Sequence, residues 1–132
     1  MSEAKCTRDS FLECDYAMSF KERVDMDELT FTDDYIYTYN DIPFTGVGYE
    51  LGEDGRLISE VTYENGSDVG LAREWDENGQ LIRERIAGRP GEKTTWKEWH
   101  PNGILKEEGE SFNGRCVFVR QWDENGRLMR EA

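Results

Sequence analysis

Glutamates recur along this chain at a fixed interval. Glu60, Glu84, Glu108 and Glu131 each lie five residues after a glycine, and Glu50, Glu74 and Glu98 form a second series spaced by 24. Two carboxylates held together can act as general acid and general base. Here every interval supplies the same pair, so nothing singles one out as acid and another as base. The other chemistry open to a row of carboxylates is to dock a cationic partner.

No other residue type offers a stronger catalytic or ligating pattern. The single histidine, His100, stands where Asp76 and Asp123 stand in closely similar segments, and reads as an exposed turn residue. Cys6, Cys14 and Cys116 have neither zinc-ligand spacing nor a disulfide framework, which fits free thiols in a reducing cytoplasm. Phosphate-cradling glycine loops need a strand-to-helix context that this pattern does not offer. We therefore expect a non-enzymatic protein with no cofactor and no metal.

The elements that must position the glutamates come from a repeat. WDENGQL at 75–81 and WDENGRL at 122–128 share the turn Asp-Glu-Asn-Gly, with WHPNGIL at 99–105 between them. Gly55, Gly79, Gly103 and Gly126 are 24, 24 and 23 residues apart, with Leu51, Trp75, Trp99 or Trp122 four residues before and a leucine two after. Weaker turns fall between them at Asn65-Gly66, Pro90-Gly91 and Asn113-Gly114. Upstream, Tyr39 and Gly46 keep the register, and Asp33-Asp34 falls close to an earlier turn. A period of this length marks an array.

Each unit of about 24 residues reads as two strands. Asn-Gly between alternating apolar residues signals a hairpin, and type I′ geometry needs positive φ at both central residues. Simple alternation then sorts the side chains onto two faces. Arg73, Trp75, Leu81, Arg83, Lys97, Trp99, Leu105, Arg120, Trp122, Leu128 and Arg130 share one face, with Val47, Tyr49, Val61 and Tyr63. Glu50, Glu60, Glu74, Glu84, Glu98, Glu108 and Glu131 share the other, where neighbours in a column are roughly 9–10 Å apart. At that distance repulsion in water is about half a kcal/mol or less.

The expected fold is all-β, a single-layer antiparallel β-meander over residues 24–132. Residues 1–23 precede it as a short helical cap, with a helix from Asp9 to Arg23, or as an irregular acidic tail. With 36% hydrophobic and 34% charged residues, one thin layer is easier to fill than two packed sheets. No stretch approaches the roughly 20 apolar residues of a membrane span, and the polar start Met1-Ser2-Glu3-Ala4-Lys5 does not read as a secretion signal.

Tyr-Asn-x-x-Pro-Phe-Thr-Gly at 39–46, followed by units of the form G…W-x-x-N-G-x-L-x-x-E…Y-x-N-G, resembles the MORN-variant repeat family. The resemblance covers about residues 35–132. It departs from the pattern at 85–94, where the aromatic before the second turn is missing, and at Phe118, where earlier units have Gly46 or Gly70. Bacterial proteins of that family are commonly described as antitoxins or immunity proteins, so the resemblance implies neutralisation of a cognate toxin by direct binding.

Charge narrows the partner. The net charge of −13, from 29 acidic against 16 basic residues, disfavours nucleic-acid phosphates and anionic lipid. A basic protein, such as a nuclease toxin, is the electrostatically reasonable partner. The expected contacts are Glu50, Glu60, Glu74, Glu84, Glu98 and Glu108, on a chain that is monomeric when free. The alternative is a general interaction scaffold, its glutamate face serving only solubility.

Overall fold

Two kinds of tight turn build the molecule, whose computed structural model describes residues 22–132. At the Asp-Glu-Asn-Gly sites three residues form the loop. The Gly79 N–H donates to the Asp76 carbonyl at 3.0 Å and the Asp76 N–H donates to the Gln80 carbonyl at 2.9 Å. The Asp76 carboxylate closes the loop by accepting from the N–H groups of Asn78 and Gln80. Gly79 takes φ +82° while Asn78 stays at negative φ, so this is a type I turn ending in a left-handed glycine and not the expected type I′. The type I′ expectation holds at the weaker turns, where Asn65-Gly66 and Asn113-Gly114 both have positive φ.

These turns join short strands, which we number in chain order. They are β1 (Arg23–Asp25), β2 (Thr30–Phe31), β3 (Tyr37–Tyr39), β4 (Ile42–Pro43), β5 (Gly46–Leu51) and β6 (Leu57–Glu64). The array continues with β7 (Ser67–Trp75), β8 (Leu81–Ala87), β9 (Thr94–Trp99), β10 (Leu105–Phe112), β11 (Arg115–Trp122) and β12 (Leu128–Glu131). Strands β5 to β12 pair in sequence order as an antiparallel meander, and β1 lies parallel against β5 at its first edge. The nine-stranded sheet is therefore roughly 40 Å across at ordinary strand spacing.

Upstream of Gly46 the chain does not add another hairpin to this sheet. Strands β2, β3 and β4 form a separate three-stranded sheet. A single 3₁₀ turn, Met26–Glu28, precedes it, with the Asp25 carboxylate accepting from the Asp27 N–H. The small sheet packs over the first strands of the array, where Val24, Phe44 and Tyr63 are buried with Leu29, Tyr37, Tyr39 and Val61 around them. The stretch from Asp9 expected as a helix or tail lies outside the described residues, except that Arg23 begins β1.

Register overturns the simple sorting of faces. Trp75 lies opposite Leu81 as expected, but Glu74 pairs with Arg83, so Ile82 is an extra residue in the returning strand. The same bulge follows the other three turns, at Ile58, Lys106 and Met129. A one-residue insertion inverts every later side chain in its strand. Residues before each turn keep their expected face. Those after it, among them Val61, Tyr63, Glu60, Arg83, Glu84, Glu108, Arg130 and Glu131, change sides.

Candidate functional site

The two glutamate series therefore stand on opposite faces of the sheet. On one face, direct partners run Tyr49, Glu60, Arg73, Glu84, Lys97, Glu108, Arg120, Glu131, with the sign of charge alternating from Glu60 onward. On the other, they run Glu50, Ser59, Glu74, Arg83, Glu98, Glu107, Gln121, Arg130. The expected unbroken acidic face does not exist, because the bulges carry Glu60, Glu84, Glu108 and Glu131 in among the bases of the first face and set Arg83 between Glu74 and Glu98 on the second.

Five of the six glutamates singled out in the sequence are consumed in these rows. Arg23 meets Glu60 at 2.7 Å, Arg73 meets Glu84 at 3.1 Å, and Arg120 meets Glu108 at 3.0 Å and Glu131 at 2.8 Å. Arg83 bridges Glu74 and Glu98 across the second face. Glu50 is exposed, with no ion pair among the described residues. Glu107, not singled out in the sequence, accepts from the Trp96 indole at 2.8 Å and from the Gln121 amide at 2.6 Å. Exposed pairs of this kind each stabilise little, but together they offset most of the charge of the rows.

The surplus charge is densest elsewhere. Residues 46–132 hold eighteen acidic and twelve basic side chains, whereas residues 22–45 hold seven acidic side chains and one base, Arg23, already tied to Glu60. The two segments carry the same net charge of −6, but the second is less than a third as long. It is also the segment that breaks the repeat.

Its hairpin between β2 and β3 copies the array turn with one change. The Tyr35 N–H donates to the Thr32 carbonyl at 3.0 Å and the Thr32 N–H donates to the Ile36 carbonyl at 2.9 Å, the pattern seen at Asp76 to Gln80. The left-handed position held by Gly55, Gly79, Gly103 and Gly126 is here Tyr35, at φ 65°. For a residue with a Cβ that conformation costs about 1–2 kcal/mol. The ring is 80% exposed, so core burial does not offset the cost. Asp33 and Asp34 complete the loop. Sequence reasoning noted those two carboxylates as a displaced turn and passed over Tyr35 and Phe31; the usable signal was a turn of the repeat's form lacking its glycine.

The remaining chemical candidates resolve as structure. The His100 Nε2–H donates to the Trp122 carbonyl at 2.9 Å and the Asn102 side chain donates to the Glu124 carbonyl, tying the third array turn to the fourth. The Asp123 carboxyl is held below the usual carboxylate range, chiefly by the Arg127 N–H and also by that of Asn125. Cys116 is free and exposed, and Cys6 and Cys14 lie outside the described residues. Among the described residues no group of three or more His, Cys, Asp or Glu is disposed to hold a metal ion. No helix among them is long and apolar enough to cross a membrane. A shallow depression of about 280 Å³ lies on the first face beside Ile86, Lys97 and Phe118, but its carboxylates Glu84, Glu108 and Glu110 all have basic partners.

Fold and surface together define a class, a one-layer β-hairpin repeat array carrying a small acidic sheet at one end. Two of its hairpins, residues 68–85 and 94–113, match the family described as MORN repeat variant. Each match spans one Trp-to-Leu turn with most of both flanking strands. Repeats of this kind often act as protein- or membrane-interaction modules. No curated protein matches the chain.

Proposed function

We infer that this chain is a non-enzymatic binding module whose partner is a basic protein, and more specifically an immunity or antitoxin protein that neutralises a cognate toxin by direct binding. The observation that carries the reading is the uneven charge. Most glutamates of the array rows have a basic partner, and residues 22–45 concentrate in 24 residues the same net charge of −6 that residues 46–132 spread over 87. A pole of one sign steers a cationic protein into a preferred orientation and raises its association rate. The same field opposes phosphate backbones and anionic lipid. In this reading Glu60, Glu74, Glu84, Glu98 and Glu108 contribute to the field without direct contact, and Glu50 is free to touch the partner. The chain binds as a monomer in the cytoplasm.

Co-expression tests the specific form. A gene beside the one encoding this chain should be toxic when expressed alone, and this chain should restore growth and co-purify with its product. A toxic neighbour that this chain neither rescues nor binds, or the absence of any toxic neighbour, removes the immunity reading. A general interaction scaffold then remains, favoured by the exposed Leu71 and Ile86 beside the Phe118 depression.

A further inference from the structure

We propose that the exposed Tyr35–Phe31 pair is the anchor of the docking surface, and that its occupant is an arginine-bearing segment of a basic protein; the proposal rests on the binding-module reading above. Tyr35 is 80% and Phe31 54% exposed, with their rings edge to face at 6.3 Å. Behind them the aromatic contacts continue inward. Phe31 meets Tyr37 at 4.7 Å, Tyr37 meets Tyr63 at 5.2 Å, and Tyr63 is buried against Phe44 at 5.7 Å. An exposed aromatic pair backed by the core is already ordered, so binding through it loses little side-chain entropy. Tyrosine at such a position is a common energetic anchor of protein interfaces. The turn itself does not need the ring, since four array turns of the same form use glycine there.

The neighbouring charge identifies the occupant. Asp33 and Asp34 directly precede Tyr35, and neither carboxylate has an ion pair among the described residues. A guanidinium can stack on an aromatic face and direct its N–H groups to an adjacent carboxylate at the same time. An ammonium has no planar face to stack and no fork to match the carboxylate. An acidic segment would meet the seven carboxylates of residues 22–45.

The test titrates the isotope-labelled full chain with the amidated peptide acetyl-Gly-Arg-Gly-Arg-Gly, and with its lysine and glutamine counterparts, followed by NMR. The expected result is saturable shifts of the Tyr35 and Phe31 ring protons with the arginine peptide, and weaker binding of the lysine peptide. Tyr35→Gly should weaken the arginine peptide about threefold to fivefold, the scale of one exposed stacked cation. The same variant should melt no lower than wild type, so lost binding cannot be assigned to lost folding. Unchanged affinity in Tyr35→Gly overturns the anchor. Saturable shifts confined to residues 46–132 also overturn it while leaving a binding module. No saturable shift anywhere overturns the anchor and counts against a basic partner as well.

Discussion

Single residues show where the fold spends its tolerance. Gly109 is outside the left-handed region, yet a Cβ there would collide with the Trp96 ring, whose indole N–H donates to Glu107. Gly109→Ala should therefore destabilise the protein by about 1–3 kcal/mol, as overpacking does, measured by urea denaturation. Tyr63 makes a different prediction. Burial, then Tyr37 and Asp68, push its hydroxyl up from 10.0 to about 12. Its contribution to stability is fully present below the ordinary tyrosine value and is lost as pH rises through about 12. A spectrophotometric alkaline titration should show one tyrosine ionising well after the exposed ones. Tyr35 has the opposite character, exposed and conformationally costly, and so points outward from the core to a partner. The sequence shows its turn but not its strain, because φ is set by the register of Thr32 and Ile36.

At the scale of elements, turns and strand order were legible and face assignment was half legible. Trp-x-x-x-Gly-x-Leu, with Leu51 replacing Trp in the first, defines each array hairpin and correctly sets Trp75 against Leu81. The bulge after it was not legible, since Ile58, Ile82 and Met129 read as ordinary apolar strand residues and Lys106 breaks even that pattern. Its trace is the alternation of charge across the strands, visible only once one residue is left unpaired. That register predicts the effect of Arg83→Glu, which would set an acid between Glu74 and Glu98. The variant should melt lower, by on the order of 0.5–1 kcal/mol in stability at low salt. The difference should narrow in high salt, where exposed like charges are screened. If the glutamates stood on one face apart from the bases, the same change would leave stability nearly untouched.

Across the whole molecule, the array and the small sheet divide the labour. The array interleaves acids and bases over both faces of one layer, its net charge of −6 spread thinly along 87 residues, and its first edge is covered by β1. The small sheet packs Tyr37 and Tyr39 against the buried cluster of Val24, Phe44 and Tyr63, and together with β1 and the 3₁₀ turn before it holds the concentrated acid. Net charge alone located neither, because acid that is matched and acid that is surplus count equally in a total. The sequence resemblance reached to about residue 35 and so took in part of the small sheet, yet the family match rests on the two middle hairpins at 68–113. On the proposed reading, recognition sits where the repeat stops.

The most direct measurement compares two variants of equal charge change in the growth-rescue assay against the toxic neighbour. One replaces Asp33 and Asp34 with Asn, and the other replaces Glu74 and Glu98 with Gln. Removing two carboxylates at a contacting pole should cost about tenfold or more in rescue, whereas removing two that are already paired should cost about twofold or less. Equal losses, or a larger loss from the array variant, would contradict the account and return the binding surface to the sheet.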